Sequence, residues 1–536
     1  MTLINLENTP IQEIANNVRQ GTWKAVDVLS YFIETSQQAH SKTNCITQRL
    51  DEYALNLAKD LDEKISSGIE FNESDYPLLG IPVSVKDMID IKGYPSIAGL
   101  KCNLNKKAVK DGSMIELVKS LGAIPFCKTN MCQLALTTES TNPVNGRTFH
   151  PISKKYSAGG SSSGEGPLIK LGGSVFGIGT DVGGSLRYPA TWTGIYCFKP
   201  TSGYLPTKGS FKFQSGQGYV KPTPGPMTNS MENLSLLVET LLMAKNRQKV
   251  DPSCIPISKG DEDIINDKKV RFGYYSSYGK LPTTPAVERG VLETVKALKD
   301  QGYEVIEIDP LPIDQVFNTT SKIFGSDSYR EASSKIQDEG FDKAVAALNN
   351  LSKLPSLLHF IIYFILNNLM GEKILSNTFD ILTNRSAGQL WQLHHQADLL
   401  FDKFNQQLNE LSLDFIISPV HTHPTHEHEQ FSKVVFGTGY SMVANLLNLP
   451  AGCIPVTKVI PDKDTIQLND WLSNKFNNQF ELGRLGLHAM YSQYDAIKMK
   501  DIPIGIQVIG RRYQDLKVVK GMQIVDKCLK EFKSKN

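Results

Sequence analysis

The sequence contains no C-x-x-C pair. Its eight cysteines, at positions 45, 102, 127, 132, 197, 254, 453 and 528, are scattered through 536 residues. That usage fits reduced thiols and excludes a disulfide framework or a thioredoxin-type redox motif. An excess of either charge is also missing: 57 Lys plus Arg stand against 55 Asp plus Glu. No global field draws in nucleic acid or an acidic surface, so a small or neutral ligand is expected. The amino terminus, MTLINLENTPIQEIANNVRQG, lacks the basic-then-apolar pattern of a signal peptide, and a cytoplasmic location is the expectation. No internal repeat, low-complexity tract or Pro/Gly/Ser linker divides the chain, which reads as a single domain over 1–536.

Long apolar runs are scarce, with one exception. LPSLLHFIIYFILNNLM, residues 354–370, carries no formal charge apart from His359 when protonated. As a helix it would be roughly 25 Å long at 1.5 Å per residue, short of a bilayer core, and Pro355 and two asparagines blunt it further. A buried core helix is the plain reading; an apolar surface patch or a cap dipping into a membrane is the other.

What is present is an alternation of helix and strand patterns. MIELVKSLG reads as a helix ending at Gly122, and AIPFCKT follows as a short buried strand. VRFGYY (270–275) precedes a helix whose apolar positions Val287, Val291, Val295 and Leu298 recur every three or four residues, after which YEVIEID returns as a strand. Such β-α-β units favour parallel strands covered by helices on both faces, so the fold class is α/β. LDFIISPV (413–420) and IPIGIQVIG (502–510) are further strand candidates. Residues 386–411 form one long amphipathic helix, with Trp391 and its neighbouring leucines expected in the core.

Residues 156–190, YSAGGSSSGEGPLIKLGGSVFGIGTDVGGSLRYPA, hold ten glycines and six serines. In acyl transfer a nucleophilic hydroxyl needs a partner to take its proton, and N–H donors must face the oxygen where charge develops. The run Val182, Gly183, Gly184, Ser185 can bend so that successive amides point into one concavity, because two of the four residues lack a Cβ. Gly160 to Gly164 also match G-x-S-x-G, with Ser162 at the centre. That elbow wants a strand directly before it, however, and RTFHPISKKYSAGG is polar and loop-like.

GGSSSGEGPLI followed by GIGTDVGGSLRYPATWTGIYCFKPT resembles the amidase signature family, and GIPVSVKDMID supplies the upstream lysine that the family expects. The spacings of 24 residues from Ser161 to Ser185 and 99 from Lys86 to Ser185 agree. KTN (128–130), TNPVNGRT (141–148), GPMTNS (225–230) and the terminal IPIGIQVIGRR extend the similarity along most of the chain. The resemblance implies a large twisted mixed sheet covered by helices on both faces, with catalytic motifs within 80–230. It implies a Ser-Ser-Lys triad in which Lys86 is the base, Ser161, after a cis peptide bond, the relay, and Ser185 the nucleophile. The amides of Val182, Gly183, Gly184 and Ser185 would hold the oxyanion. Lys86 must then be neutral, its pKa drawn down from about 10.4 by burial; Val83, Val85 and Met88 offer an apolar setting, whereas Asp87 and Asp90 would oppose the shift if they faced the amine.

Within that family the GEG triplet, the SAGQLWQLHHQ helix and NLPAGCIPVT resemble the fatty acid amide hydrolase and fungal acetamidase-like branch. The branch implies a lipid-like amide substrate, a helical cap-like insertion at about 310–400, peripheral membrane contact through 354–370, and a homodimer. It implies no cofactor, no metal and no nucleic-acid partner. Ser163 stands where a glycine is usual. Ala135 stands where lipid-amide enzymes place a larger residue against the substrate, so channel width is open. A general short-chain or aryl amidase, and the glutamine-amidase subunit of a tRNA-dependent amidotransferase, are the competing activities. HTHPTHEHE (421–429) reads as a solvated or substrate-lining loop rather than a metal site, and Arg187 either anchors the nucleophile loop or simply pairs with Asp181, the structural reading being preferred because buried arginines are normally paired.

Overall fold

The computed structural model describes residues 6–257, 270–336, 339–343, 345, 346, 350, 353–372, 376, 379–476 and 484–535. Among the described residues thirteen strands are formed: β1 Ile46–Arg49, β2 Pro82–Lys86, β3 Ile124–Thr129, β4 Thr141–Asn142, β5 Gly146–Arg147, β6 Phe176–Asp181, β7 Tyr196–Lys199, β8 Thr223–Thr228, β9 Arg271–Tyr274, β10 Glu304–Glu307, β11 Phe415–Ser418, β12 Ala451–Lys458 and β13 Pro503–Ile509. Apart from the β4–β5 hairpin they make one eleven-stranded sheet in the order β1-β3-β2-β6-β8-β7-β12-β13-β11-β9-β10. The runs β3-β2-β6 and β11-β9-β10 are parallel, and the middle is antiparallel. The unit read at 270–309 is present: β9, the helix Pro285–Asp300, and β10 lying parallel beside β9.

Both faces of the sheet are covered, as strand alternation requires of a buried sheet. Gly452 and Cys453 are neighbours on β12 and point to opposite sides. A Cβ on Gly452 would collide with Met522 of the carboxy-terminal helix Asp515–Lys535, while Cys453 Sγ approaches the carbonyl of Arg187 in the helix Arg187–Thr193. The α/β class and the mixed sheet therefore hold.

Two expectations about helices are corrected. The helix Ala387–Glu410 begins at a capping box, in which Ser386 accepts from the Gln389 amide and Gln389 reaches back. Its buried stripe is Leu393, Ala397, Leu400, Phe404 and Leu408. Trp391 lies two residues ahead of that stripe, about 200° round a 3.6-residue helix, and is 69% exposed. It belongs to the surface and not to the core.

The apolar run is helical from Ser356 to Phe364 and continues as a π-helical turn over Ile365–Leu369. A buried core helix is excluded, because Leu357, Leu358, Phe360, Ile361, Phe364, Ile365, Leu369 and Met370 are exposed while only His359 of the neighbouring positions is buried. Among the described residues no helix is long and apolar enough to cross a membrane.

Candidate active site

Strands β2 and β6 are parallel neighbours, with Val85 opposite Ile178. Parallel pairing brings their carboxyl ends to the same edge of the sheet, where loops gather in open α/β folds. Lys86 ends β2, and the loop 182–186 leaves β6. Period-two alternation puts Ser84 and Lys86 on one face and Val83 and Val85 on the other, so the two valines do not surround the amine. What surrounds it is polar: Lys86 Nζ lies 2.7 Å from Ser161 Oγ and 2.9 Å from Thr180 Oγ1, which in turn donates to Met88 Sδ at 3.2 Å. Ser161 follows a cis peptide bond from Gly160.

Burial draws the Lys86 amine down to about 8; the Cys132 thiol, Asp181 and Glu165 act against it. The two nearest acids in sequence do not. Asp87 faces the other way and pairs with buried Lys128 at 2.9 Å, and Asp90 accepts from Ser96 Oγ at 2.7 Å.

Glu165 escaped the sequence reading as a site residue. Its carboxylate is fully buried beneath Lys86, where Oε2 accepts from Ser84 Oγ at 2.6 Å and Oε1 from Thr129 Oγ1 at 2.8 Å. Burial pushes it up to about 7. A Cβ at Gly177 would strike this carboxylate, which explains a glycine in the middle of β6. The available signal was an acid flanked by glycines directly after three serines. Thr180 was likewise missed, since only the β2–β6 register brings it to Lys86.

The Ser185 loop is fastened from below. Asp181, the last residue of β6, accepts from the amides of Gly184 at 2.8 Å and Leu186 at 3.1 Å. Arg187 pairs with Asp181 at 3.1 Å and also donates to the Ser441 carbonyl, Gln507 Oε1 and Asn445 Oδ1. The structural reading of Arg187 is therefore right. Burial alone would raise the Asp181 carboxyl, but the Arg187 guanidinium holds it well below the usual carboxylate range.

The fastening corrects one detail. Gly184, at φ 114° and with no room for a Cβ against the Tyr188 ring, spends its amide on Asp181. The amides of Val182, Gly183 and Ser185 have no acceptor among the described residues, so the nest has three free donors rather than four.

Val182, Gly183 and Ser185 line a cavity of about 410 Å³. Its remaining walls are largely aromatic, with Phe213, Phe317, Phe324, Phe379 and Phe431, and Ala135 sits on it with φ +60°. Ser161 lies just behind Gly160, which lines the cavity; the Ser162 amide donates to the Ser185 carbonyl at 3.2 Å and so ties the two serine loops together. Ser162 Oγ faces the Thr180 carbonyl, away from the cavity. Coil and not strand precedes Gly160, and the elbow reading fails. Ser163 Oγ donates to the Glu139 carbonyl at 3.4 Å without disturbing the three triad positions.

The histidine loop is not solvated. His421, His423 and His426 are buried, and His428 nearly so. Aromatic packing takes the place of water: His421 sits edge-on to Tyr188 and Trp192, and His426 to Trp192. Burial lowers His423 to about 3, which leaves it neutral. His426 Nδ1 donates to the Glu427 carbonyl at 2.8 Å, so its Nε2 accepts from Thr138 Oγ1 at 2.9 Å, and Thr138 lines the cavity. The loop thus supports a cavity wall from behind. No group of three or more His, Cys, Asp or Glu among the described residues is arranged to hold a metal.

Comparison with known proteins identifies the family. Residues 27–519 match the family described as Amidase. The chain is 30% identical over 457 residues to fatty-acid amide hydrolase 1 of Sus scrofa, covering 85% of this chain and 76% of that one. It is 29% identical over 539 residues to the acetamidase of Emericella nidulans, covering 96% and 88%. A solved fatty acid amide hydrolase shares the fold, with a TM-score of 0.84 at 23% identity over 98% of this chain and 85% of that one. With a match that runs through every strand of the sheet but the first few residues before it, the chain belongs to the amidase signature family, the serine amidases, and is a hydrolase of amide bonds.

Proposed function

We propose that the chain hydrolyses amides of long-chain fatty acids, N-acylethanolamines or primary fatty amides, through an acyl-enzyme on Ser185. Neutral Lys86 takes a proton from Ser161 as Ser161 takes one from Ser185. The freed Ser185 oxygen attacks the amide carbon, and the amides of Val182, Gly183 and Ser185 accept the developing negative charge on its oxygen. The same relay returns the proton to the departing nitrogen, which leaves as the neutral amine. Water then repeats the sequence on the ester and releases the acid. The observation that carries the chemistry is the 2.7 Å contact between buried Lys86 and Ser161, on the strand next to the one that feeds Ser185.

The substrate class rests on the cavity. At about 410 Å³ it holds more than ten times one water's share of liquid, about 30 Å³. Its aromatic lining favours an alkyl chain over a two-carbon acyl group. The described residues of about 310–400 are the cap over it, and the exposed face of residues 356–370 rests on a membrane surface, a partition supported by its eight exposed apolar side chains.

Labelling with an alkyl fluorophosphonate, followed by peptide mapping and competition from amides of two to eighteen carbons, tests both parts. The label is expected on Ser185, and kcat/KM is expected to rise with chain length. A label on Ser162 would overturn the triad. A flat or falling chain-length profile would move the substrate to short-chain or aryl amides, as the acetamidase relative suggests.

A further inference from the structure

A second cavity, of about 630 Å³, opens at the foot of the exposed apolar helix. Arg330, Lys353, Ser334, Thr383 and Asn384 line it, and no carboxylate among the described residues does. Arg330 and Lys353 form no ion pair among the described residues. The nearby acids are occupied: Asp380 pairs with Lys322 and Arg385, and Glu331 with Lys335. Two cations without counter-ions among the described residues, beside hydroxyl and amide groups, make a site for an oxyanion.

The wall between this cavity and the catalytic one is a single layer of chain. Ser328 and Tyr329 both adopt left-handed backbone, at φ +54° and +53°, so that Tyr329 lines the catalytic cavity while Ser328 and Arg330 line the other. Ile381 and Leu382 divide in the same way. The second cavity is therefore bounded on one side by the wall of the catalytic cavity and on another by Leu354, Pro355 and His359, where the apolar helix begins.

We propose that this second cavity binds the phosphate of an anionic phospholipid headgroup while Leu357, Phe360 and Phe364 enter the acyl region of the same bilayer. The inference rests on the reading that the apolar helix meets a membrane, and adds which membrane it prefers and through which residues. Charge complementarity selects an anionic bilayer over a zwitterionic one, because each lysine or arginine near such a surface strengthens binding roughly fivefold, so two give roughly 25-fold.

Co-sedimentation of the full chain with vesicles of phosphatidylcholine, and of phosphatidylcholine with 30% phosphatidylglycerol, separates the two ideas. Wild type is expected to bind both, with roughly 25-fold preference for the anionic vesicles. Arg330→Gln with Lys353→Gln should lose most of the preference and keep the binding to phosphatidylcholine. Lys42→Gln with Lys59→Gln, an equal change of charge on two exposed lysines of the amino-terminal helices, should keep both. Binding to neither vesicle would overturn the membrane reading and the inference with it. Equal binding to both, or equal loss in the two double variants, would leave the membrane reading standing and overturn the headgroup site. Inorganic phosphate that displaces the protein from anionic vesicles at millimolar concentration and constant ionic strength, and whose binding to the lipid-free chain is lost in Arg330→Gln with Lys353→Gln, would assign the cavity to free phosphate instead.

Discussion

The edge of the sheet at β2 and β6 and the apolar segment at residues 356–370, the membrane-facing part of the proposed cap, are built on opposite terms. At the edge, ionisable groups are buried and each is answered: Lys86 by Ser161 and Thr180, Glu165 by Ser84 and Thr129, Asp181 by Arg187 and two amides. In the cap, eight large apolar side chains stand in the open. Each leaves unrealised about 1.5–3 kcal/mol that burial would provide. Position at the edge is fixed to tenths of an ångström by hydrogen bonds, whereas the cap offers area without geometry. Chemistry needs the first, and partitioning onto a fluid surface needs only the second.

If the contrast is real, substitutions should divide by orders of magnitude. Ser185→Ala removes the nucleophile and should lower kcat by on the order of 10⁵-fold or more. Lys86→Ala should cost about 10²–10⁴-fold on amides, and less on esters of the same acid. Only an amine leaving group depends heavily on a returned proton. Steady-state kinetics on a matched amide and ester check this, and equal losses on both would break the relay. Next in size stands Arg187→Met, which leaves Asp181 charged and buried without its partner. A loss of about 3–5 kcal/mol in urea unfolding is expected, and a change below 1 kcal/mol would mean that the pair is not what fastens the Ser185 loop.

How much of this contrast could be read in advance follows the same division. Lys86, Ser161 and Ser185 were singled out through the resemblance, whose motifs hold glycines and serines at fixed spacing, and the structure brings the first two into contact. Thr180 was not, because its meeting with Lys86 is set by the β2–β6 register, and Glu165 was not, because it opens a helix that lays its carboxylate against Ser84 and Thr129 of two distant strands. Trp391 misled because the helix period alone does not say which of two apolar stripes faces inward; the stripe through Leu393 and Leu400 won. The histidine loop misled because polar loops are usually wet, and the rings of Trp192, Tyr188, Tyr491 and Phe431, brought in from distant parts of the chain, keep this one dry.

A finer test of the edge uses pH. In the proposed relay Lys86 acts when neutral, and its folded pKa is lowered to about 8, so kcat/KM should climb as pH rises through about 8 and level off above it. The unfolded chain keeps its proton up to about 10.5, so this group's contribution to stability grows between those two values. Glu165, ionised above about 7, is one of the charges that hold the Lys86 pKa up. Glu165→Gln should therefore move the rising limb to lower pH. A limb that stays in place or moves up would show that the carboxylate does not reach the amine electrostatically.

The smallest effects are expected in the cap, and there smallness is the result that counts. Leu357, Phe360 and Phe364 face solvent, so replacing all three by serine removes no packed contact from the core, and surface changes of this kind fall within about ±0.5 kcal/mol each. Thermal unfolding should barely move, and kcat on a short soluble amide should equal that of the wild type. Turnover of a long-chain amide presented in vesicles should fall severalfold through KM, because the apolar face no longer brings the cavity to the substrate. If the short amide loses kcat to the same degree, the cap is coupled to the edge of the sheet after all, and the division between a region that does chemistry and a region that finds the membrane would have to be given up.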